Sequence, residues 1–195
     1  MRDKWYADKR DLVKWGGIMH LLYKNKNIKK VIQVAYYSKC SWPSIEFNED
    51  KTAVNIPDQV LKHFRDINLI TNLDPCIEVF DQEFDHKARQ EYTNDLCKML
   101  TGIKEKKIVF LDPDTGLEPR MCKAEHVKRI EVKQIFNSLN PGDFLVFYQH
   151  RFWNSKWDEI RLSEFAEACG LSKRKIKTWK ANKIANDVSF FFAEK

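Results

Sequence analysis

The sequence predicts a three-layer α/β sandwich in which a mostly parallel central sheet ends in a C-terminal antiparallel hairpin. Two runs dominated by apolar residues, Lys107–Leu111 and Phe144–Tyr148, have the composition of strands buried on both faces. Helical patterns alternate with strand-like runs along most of the chain. The last two strand-like runs, Lys175–Trp179 and Val188–Ala193, have no helix between them, which indicates an antiparallel pair.

The N-terminal third contains one helix, one strand and one irregular segment. Residues 8–22 predict an amphipathic helix with Asp8 as its N-cap. The run Val31–Tyr36 is short, apolar and β-branched, as expected of the first central strand. Residues 38–57 alternate around a polar turn, which predicts a peripheral hairpin or loop insertion. Helical spacing places five apolar residues of the first helix on its inner face, namely Leu12, Trp15, Ile18, Met19 and Leu22.

Helices and strands alternate through the rest of the chain. A second helix is predicted to begin at Pro57, and a second short strand is predicted at Ile77–Phe80. Further helices are expected over His86–Gly102, Ala124–Leu139 and Trp157–Cys169. The predicted inward-facing residues of the last helix are Ile160, Arg161 and Phe165.

Length and composition favour a single domain spanning residues 1–195. The chain has 195 residues, of which 43% are hydrophobic, enough for one substantial core. Thirty-four basic against twenty-eight acidic side chains give a net charge of +6. That excess favours phosphate-bearing partners such as nucleic acid, although an ordinary solvated surface would have the same composition.

Cysteine usage and hydropathy lead us to expect a cytoplasmic protein without a membrane segment. The five cysteines are dispersed and have no CxxC spacing, which fits neither a disulfide framework nor a zinc site. The N-terminus is charged where a signal peptide needs an apolar run. No stretch approaches the roughly 20 apolar residues of a membrane span.

Three carboxylates follow the strand predicted at Lys107–Leu111. They are Asp112, Asp114 and Glu118, with Pro113 and Gly116 shaping the backbone between them. A capped turn is one interpretation, since Asp, Pro and Gly are common turn residues. In a second, Asp112 and the Pro113 carbonyl accept hydrogen bonds from a substrate amine or a cofactor. In a third, the carboxylates bind Mg²⁺ or Mn²⁺.

The strand predicted at Phe144–Tyr148 is also followed by polar and aromatic residues. His150 is a candidate general base or metal ligand because its ordinary pKa lies near neutrality. Gln149 could hydrogen-bond a base edge. Arg151, Phe152 and Trp153 combine a guanidinium with aromatic rings, as nucleotide-stacking surfaces do. The carboxyl ends of the two strands are therefore the predicted functional edge.

The first helix carries Asp8, Asp11 and Lys14 on one face. Pairing within the helix, as of Asp11 with Lys14, is one interpretation. The other is that these three residues contribute to a cofactor site. The chain contains neither a G-x-G-x-x-G nor a Walker A pattern, so the sequence supports neither a dinucleotide site nor a P-loop site.

Three of these segments resemble a group of bacterial and phage proteins. The shared motifs are D-x-x-D-x-x-K, F-L-D-P-D-[NT]-G-L-E and V-[FY]-Y-Q-H. In this chain they lie at Asp8–Lys14, Phe110–Glu118 and Val146–His150. The resemblance marks positions and names no reaction.

More remotely, the chain resembles Rossmann-like S-adenosylmethionine-dependent methyltransferases that act on exocyclic amines in nucleic acids. The Asp11–Lys14 segment is similar to the A-D-x-x-K-H start of an rRNA adenine methyltransferase family, and Asp112-Pro113 stands where that family has D-P-P-Y. The resemblance implies that Asp112 and Pro113 orient the target amine. Asp114 and Thr115 depart from the motif, and the Gly-rich loop for the methionine part of the cofactor is missing.

The leading hypothesis is a methyltransferase-like protein that uses S-adenosylmethionine, with Asp112, Pro113, Asp114, Gln149 and His150 at the reaction centre. A metal-dependent phosphodiester hydrolase is the alternative enzyme, with Mg²⁺ or Mn²⁺ held by Asp112, Asp114, Glu118 and His150. A third hypothesis is a non-catalytic module that binds nucleic acid or protein.

Overall fold

The computed structural model describes residues 8–39, 44–46 and 51–195, apart from the side chains of residues 64 and 65. Five α-helices are described: α1 (Lys9–Lys24), α2 (Asp58–Arg65), α3 (Arg89–Gly102), α4 (Arg129–Ser138) and α5 (Trp157–Ala168). The described strands are β1 (Lys30–Val34), β2 (Ile45–Glu46), β3 (Ala53–Val54), β4 (Ile77–Phe80), β5 (Lys107–Leu111), β6 (Gly116–Leu117), β7 (His126–Val127), β8 (Phe144–His150), β9 (Lys177–Ala181) and β10 (Ala185–Glu194).

The central sheet has six strands in the order β4-β1-β5-β8-β10-β9. The first four are parallel to one another, whereas β10 runs antiparallel to both β8 and β9. β10 therefore lies between its own hairpin partner and the last parallel strand. The mixed α/β class, the mostly parallel sheet and the terminal antiparallel pair predicted from the sequence are confirmed.

Alternate side chains of the central strands enter two separate cores. Ile108 and Phe110 of β5 face the core that contains α1, while Val109 and Leu111 face the core beneath α3, α4 and α5. All four side chains are buried. This two-sided burial explains why the central strands read as continuous apolar runs rather than as alternating ones.

A buried ion pair joins β5 and β8 at their amino ends. Lys107 and Asp143 are both completely buried, and Lys107 Nζ lies 2.7 Å from Asp143 Oδ2. The same carboxylate accepts hydrogen bonds from the backbone amides of Lys107 and Asn140. Asp143 thereby fixes the turn that leads into β8.

The buried faces of two helices differ from the sequence prediction. Leu12 is 68% exposed, and the buried face of α1 instead includes Asp11 and Lys14. Ile160 is 37% exposed, whereas Arg161 and Phe165 are buried as predicted. The prediction for Leu12 was wrong because it placed only apolar residues inside, whereas α1 buries two charged residues that have ionic partners.

The helix predicted from Ala124 begins five residues later, at Arg129. The intervening segment contains β7, which pairs in parallel with β6 through Gly116↔His126 and Leu117↔Val127. Glu118 N also donates to Val127 O. Pairing with the loop after β5 competes with helix formation here, a long-range effect that periodicity does not report.

The predicted peripheral hairpin at residues 38–57 is described in part. β2 and β3 form an antiparallel pair separate from the central sheet. Residues 47–50, which include most of the predicted turn, and Cys40 lie outside the described residues. The four described cysteines are free thiols. Among the described helices, none is long and apolar enough to cross a membrane.

Candidate functional site

The carboxyl ends of β1 and β5 lie next to each other at a topological switch point. From β1 the chain goes to β4 on one side and then to β5 on the other side of β1. Ligands of open α/β sheets bind at such a point, outside the carboxyl ends of the strands. Asp112, which follows β5 directly, lies at this position, and its backbone amide donates to Val34 O.

The Asp112 side chain is completely buried and belongs to a polar cluster beneath α1. Its Oδ1 lies 2.9 Å from Lys14 Nζ, and its Oδ2 accepts a 2.9 Å hydrogen bond from Gln33 Nε2. Lys14 Nζ also lies 2.8 Å from Asp11 Oδ1. An ion pair therefore connects α1 to the loop after β5. We call Asp11, Lys14, Gln33 and Asp112 the buried ionic cluster.

Lys14 is held in its charged form inside the protein. Burial would lower its pKa, but the negative charges of Asp112 and Asp11 outweigh burial and raise the pKa above the usual value. The Lys14 ammonium also lies 4.6 Å from the ring centroid of Tyr148. The intrahelical pairing of Asp11 with Lys14 is confirmed, although Lys14 also has this second carboxylate partner.

A second polar group continues from the N-terminus of α1 to the end of β8. Asp8 caps α1 by accepting from the amides of Arg10 and Asp11, and it also contacts the Arg10 guanidinium. Arg10 binds Asp187, and His150 Nε2 lies 3.2 Å from Asp187 Oδ2. Burial raises the pKa of Asp187, but the hydrogen bond and charge of Arg10 outweigh it and lower that pKa overall.

Both ring nitrogens of His150 contact oxygen acceptors. Nδ1 lies 3.0 Å from the carbonyl oxygen of Arg151, and Nε2 faces the Asp187 carboxylate. These two contacts fix the orientation of the ring.

Gln149 holds the loop that follows Asp112. Its Oε1 accepts from Leu117 N at 2.9 Å, and its Nε2 donates to the carbonyl oxygens of Thr115 and His150 at 3.1 and 2.7 Å. Only 3% of Gln149 is exposed. The amide that the sequence offered for a base edge is thus engaged by the backbone of the loop.

Gly116 is required for this contact. Its φ is +124°, and a Cβ built there would lie 2.3 Å from Gln149 Oε1. We expect Gly116→Ala to lower the free energy of unfolding by about 1–3 kcal/mol, because it combines backbone strain with a displaced, buried amide. The measurement is urea unfolding.

Gly16→Ala is the matched control for that experiment. Gly16 lies in the middle of α1, and a Cβ there would meet no atom within 4 Å. In this helical position alanine should stabilise the protein by about 0.5–1 kcal/mol. Equal, small effects of the two substitutions would contradict the proposed role of Gly116.

The carboxyl ends of β5 and β8 border a cavity of about 660 Å³ that is rich in arginine. We call it the arginine cavity, after Arg120, Arg129, Arg151 and Arg161 in its wall. Phe152 also lines it, beneath the Arg161 guanidinium at 4.6 Å. Trp153, the second predicted stacking residue, is fully exposed on the same segment.

Another cavity, of about 880 Å³, lies at the carboxyl ends of β1 and β4. Its wall includes Tyr37 after β1 and Asp81 after β4, together with residues of α2 and the following 3-10 helix. We call it the acidic cavity, because Asp58, Asp66 and Asp81 supply three carboxylates against Lys39 and Lys62. The residue before Tyr37 is also unusual.

Tyr36 occupies the turn where many nucleotide-binding sheets have glycine. Its φ is +45°, a left-handed conformation that is uncommon for a bulky residue. The ring is buried and packs against Phe84 and Tyr92 with centroid distances of 5.3 and 5.4 Å. Strained backbone of this kind concentrates at functional sites. The sequence showed that a Gly-rich loop is missing, but no motif marked Tyr36 or Asp81 as site residues.

Three of the four residues of the metal hypothesis have separate partners. Asp112 pairs with Lys14, Glu118 accepts from Arg129 N, and His150 faces Asp187. Among the described residues, no three His, Cys, Asp or Glu side chains converge as a metal site would require. The proposed ligands therefore do not fit a Mg²⁺ or Mn²⁺ centre, and we derive no step through one.

Sequence reasoning missed three partners of the predicted site residues. Gln33 lies inside an apolar strand, and Arg10 and Asp187 are 177 positions apart in the chain. A polar residue within a strand that is buried on both faces is one signal that could have revealed Gln33. The pairing of Arg10 with Asp187 has no comparable sequence signal.

Comparison with known proteins adds a structural likeness and no match in sequence. No family model matches the chain, and no curated protein matches its sequence. The fold is similar to the crystal structure of a candidate rRNA methylase from Clostridium thermocellum, with a TM-score of 0.42 and 12% sequence identity. The match covers 93% of this chain and 96% of that protein. At this TM-score the likeness carries no functional inference.

Proposed function

We propose that this protein is a methyltransferase-like enzyme that uses S-adenosylmethionine to methylate an exocyclic amine in nucleic acid. The observation that carries the proposal is the acidic cavity at the carboxyl ends of β1 and β4, beside the strained Tyr36 turn. Ligand sites of open α/β sheets lie outside the carboxyl ends of the strands, as this cavity does, and one of its two strands, β1, borders the switch point. The strand order, with β10 between β8 and β9, also agrees with the resemblance to Rossmann-like methyltransferases.

The side chains of the acidic cavity fit the polar groups of S-adenosylmethionine. A ribose diol and an α-ammonium group donate hydrogen bonds, and carboxylates such as that of Asp81 accept them. Lys39 supplies a cation for the α-carboxylate of the cofactor. The volume of about 880 Å³ lies within the range of small-molecule sites. Asp81 is also oriented by Asn68, whose Nδ2 donates to it at 3.0 Å.

The bound cofactor would supply an electrophilic methyl group on a sulfonium, which leaves a thioether once the methyl group is transferred. The chain must then place the lone pair of the acceptor amine in line with that methyl group and accept the proton that the methylated amine releases. Asp112 is enclosed by Lys14 and Gln33, so we assign it a positioning role. It fixes Pro113 and Asp114, and Asp114 is the more exposed carboxylate of the pair.

The test is calorimetric titration of the protein with S-adenosylmethionine and with S-adenosylhomocysteine. We expect Asp81→Asn to weaken binding at least tenfold, because a hydrogen bond to a charged group contributes about 1.5–3 kcal/mol. Asp95→Asn is the control: it makes the same chemical change on an exposed residue of α3, outside the cavity. Equal affinities of the two variants would remove Asp81 from the site.

A non-catalytic nucleic-acid-binding module is the second candidate function. The enclosure of the Asp112 carboxylate favours it, because a carboxylate with no exposed surface contacts no substrate. This candidate predicts that neither cofactor form binds, while oligonucleotide binding persists.

A further inference from the structure

We infer that the arginine cavity holds the phosphate groups of an unpaired nucleic-acid strand, whose bases stack on Trp153. This inference rests on the proposed function in that it names the residues which anchor the acceptor strand. It concerns the carboxyl ends of β5 and β8 and not the acidic cavity. The two parts can therefore be tested and can fail separately.

The charge balance of the arginine cavity is strongly positive. Its wall contains four arginines and only two acidic residues, Glu118 and Glu164. Arg120 and Arg151 make no side-chain ion pair with the described residues. Arg129 reaches the two glutamates only at 3.9 Å each, which is too long for hydrogen bonds. Most of the guanidinium donors thus remain available to an anion.

Arg161 is fixed in the wall of the arginine cavity. It is 6% exposed, and its NH1 donates to Glu118 O at 3.0 Å and to Glu164 Oε2 at 2.6 Å. Its Nε is buried and has no hydrogen-bond partner in the described part of the chain. This Nε atom has no exposed surface and is not a ligand contact, so Arg161 contributes to the cavity through the positive charge of a guanidinium that its two acceptors hold in the wall.

The guanidinium groups of the cavity fit a phosphate better than they fit a single carboxylate. Their planar donor forks bind two oxygens at once, and several forks around one cavity suit a group with several anionic oxygens. A phosphodiester strand also repeats its charge at regular intervals, so several arginines can bind successive phosphates.

Trp153 distinguishes an unpaired strand from a duplex. Its side chain is fully exposed two residues after Arg151, in the segment that connects β8 to α5. An exposed indole beside cationic groups is the arrangement on which single-stranded bases stack. Bases within a duplex are already stacked on their neighbours and would leave this ring unused.

The experiment is fluorescence anisotropy with a labelled 12-nucleotide oligouridine, without cofactor, at salt concentrations from 50 to 200 mM. The double variant Arg120→Ala/Arg151→Ala should bind roughly tenfold more weakly. The slope of log K against log salt should fall by about 1.4, since each phosphate contact to a single strand contributes about 0.7. Trp153→Ala should weaken binding by about tenfold with no change in the salt slope.

The matched control is Lys173→Ala/Arg174→Ala, which also removes two positive charges. These exposed residues lie before the amino end of β9, whereas the arginine cavity lies at the carboxyl ends of β5 and β8. The inference is overturned if the control weakens binding as much as the cavity variant. It is also overturned if a blunt duplex of the same length, or uridine monophosphate, binds as tightly as the strand. Failure of cofactor titration would overturn the proposed methyl transfer and leave this result intact.

Discussion

Lys14→Met should lower the free energy of unfolding by about 3–5 kcal/mol. The substitution keeps the length of the side chain but removes the only ammonium group that contacts the buried Asp112 carboxylate among the described residues. Breaking a buried ion pair by removing one partner leaves an uncompensated charge in a medium of low polarity, which has a cost of this size. Asp11, also buried, loses the same partner.

Chemical unfolding of three variants tests this expectation. Lys9→Met is the control, because Lys9 lies on the same helix and is exposed; it should change stability by less than about 0.5 kcal/mol. The double variant Lys14→Met/Asp112→Asn should recover part of the loss, since the buried carboxylate is then neutral. A loss below about 1 kcal/mol for Lys14→Met would show that the cluster is not an effective ion pair.

The second large effect is expected at the amino ends of β5 and β8. Asp143→Ala removes the carboxylate from the completely buried Lys107 and also the acceptor of two backbone amides. We expect a loss of about 3–5 kcal/mol, which a domain of ordinary stability would barely survive. Thermal unfolding of the purified variant, or its appearance in the insoluble fraction, provides the measurement.

A comparison variant separates charge from packing at this position. Asp143→Asn keeps the shape and one acceptor oxygen, so one of the two backbone amides stays bonded while the ion pair is lost. It should be more stable than Asp143→Ala and less stable than the wild type. If the two variants were equally stable, the turn contacts of Asp143 would contribute nothing.

The two ion pairs have different consequences for function. Lys107–Asp143 lies at the amino ends of β5 and β8, away from both cavities, and contributes to stability alone. The buried ionic cluster lies at the carboxyl ends and fixes the loop from Asp112 to Gly116 between the acidic cavity and the arginine cavity. Partial loss of this cluster should therefore alter ligand binding as well as stability.

Local pattern was sufficient to predict most of the secondary structure. The strand Phe144–Tyr148 was predicted within two residues of its observed end, because a strand buried on both faces must be apolar throughout. The terminal hairpin was predicted because no helix separates its strands. The local pattern gave a wrong prediction where a segment pairs with a distant partner. The start of the helix predicted at Ala124 is an example, because β7 forms there and pairs with β6.

The sequence by itself determined the fold class and the positions of the motif residues at the ends of the central strands, because both depend on short-range order in the chain. Only the tertiary structure decided how those residues are used. Asp112 contacts Lys14 and Gln33, Gln149 holds a loop, and Arg10 of α1 contacts Asp187 of β10. These contacts join segments that are far apart in the chain, and the burial that makes them strong exists only once the core has formed around them.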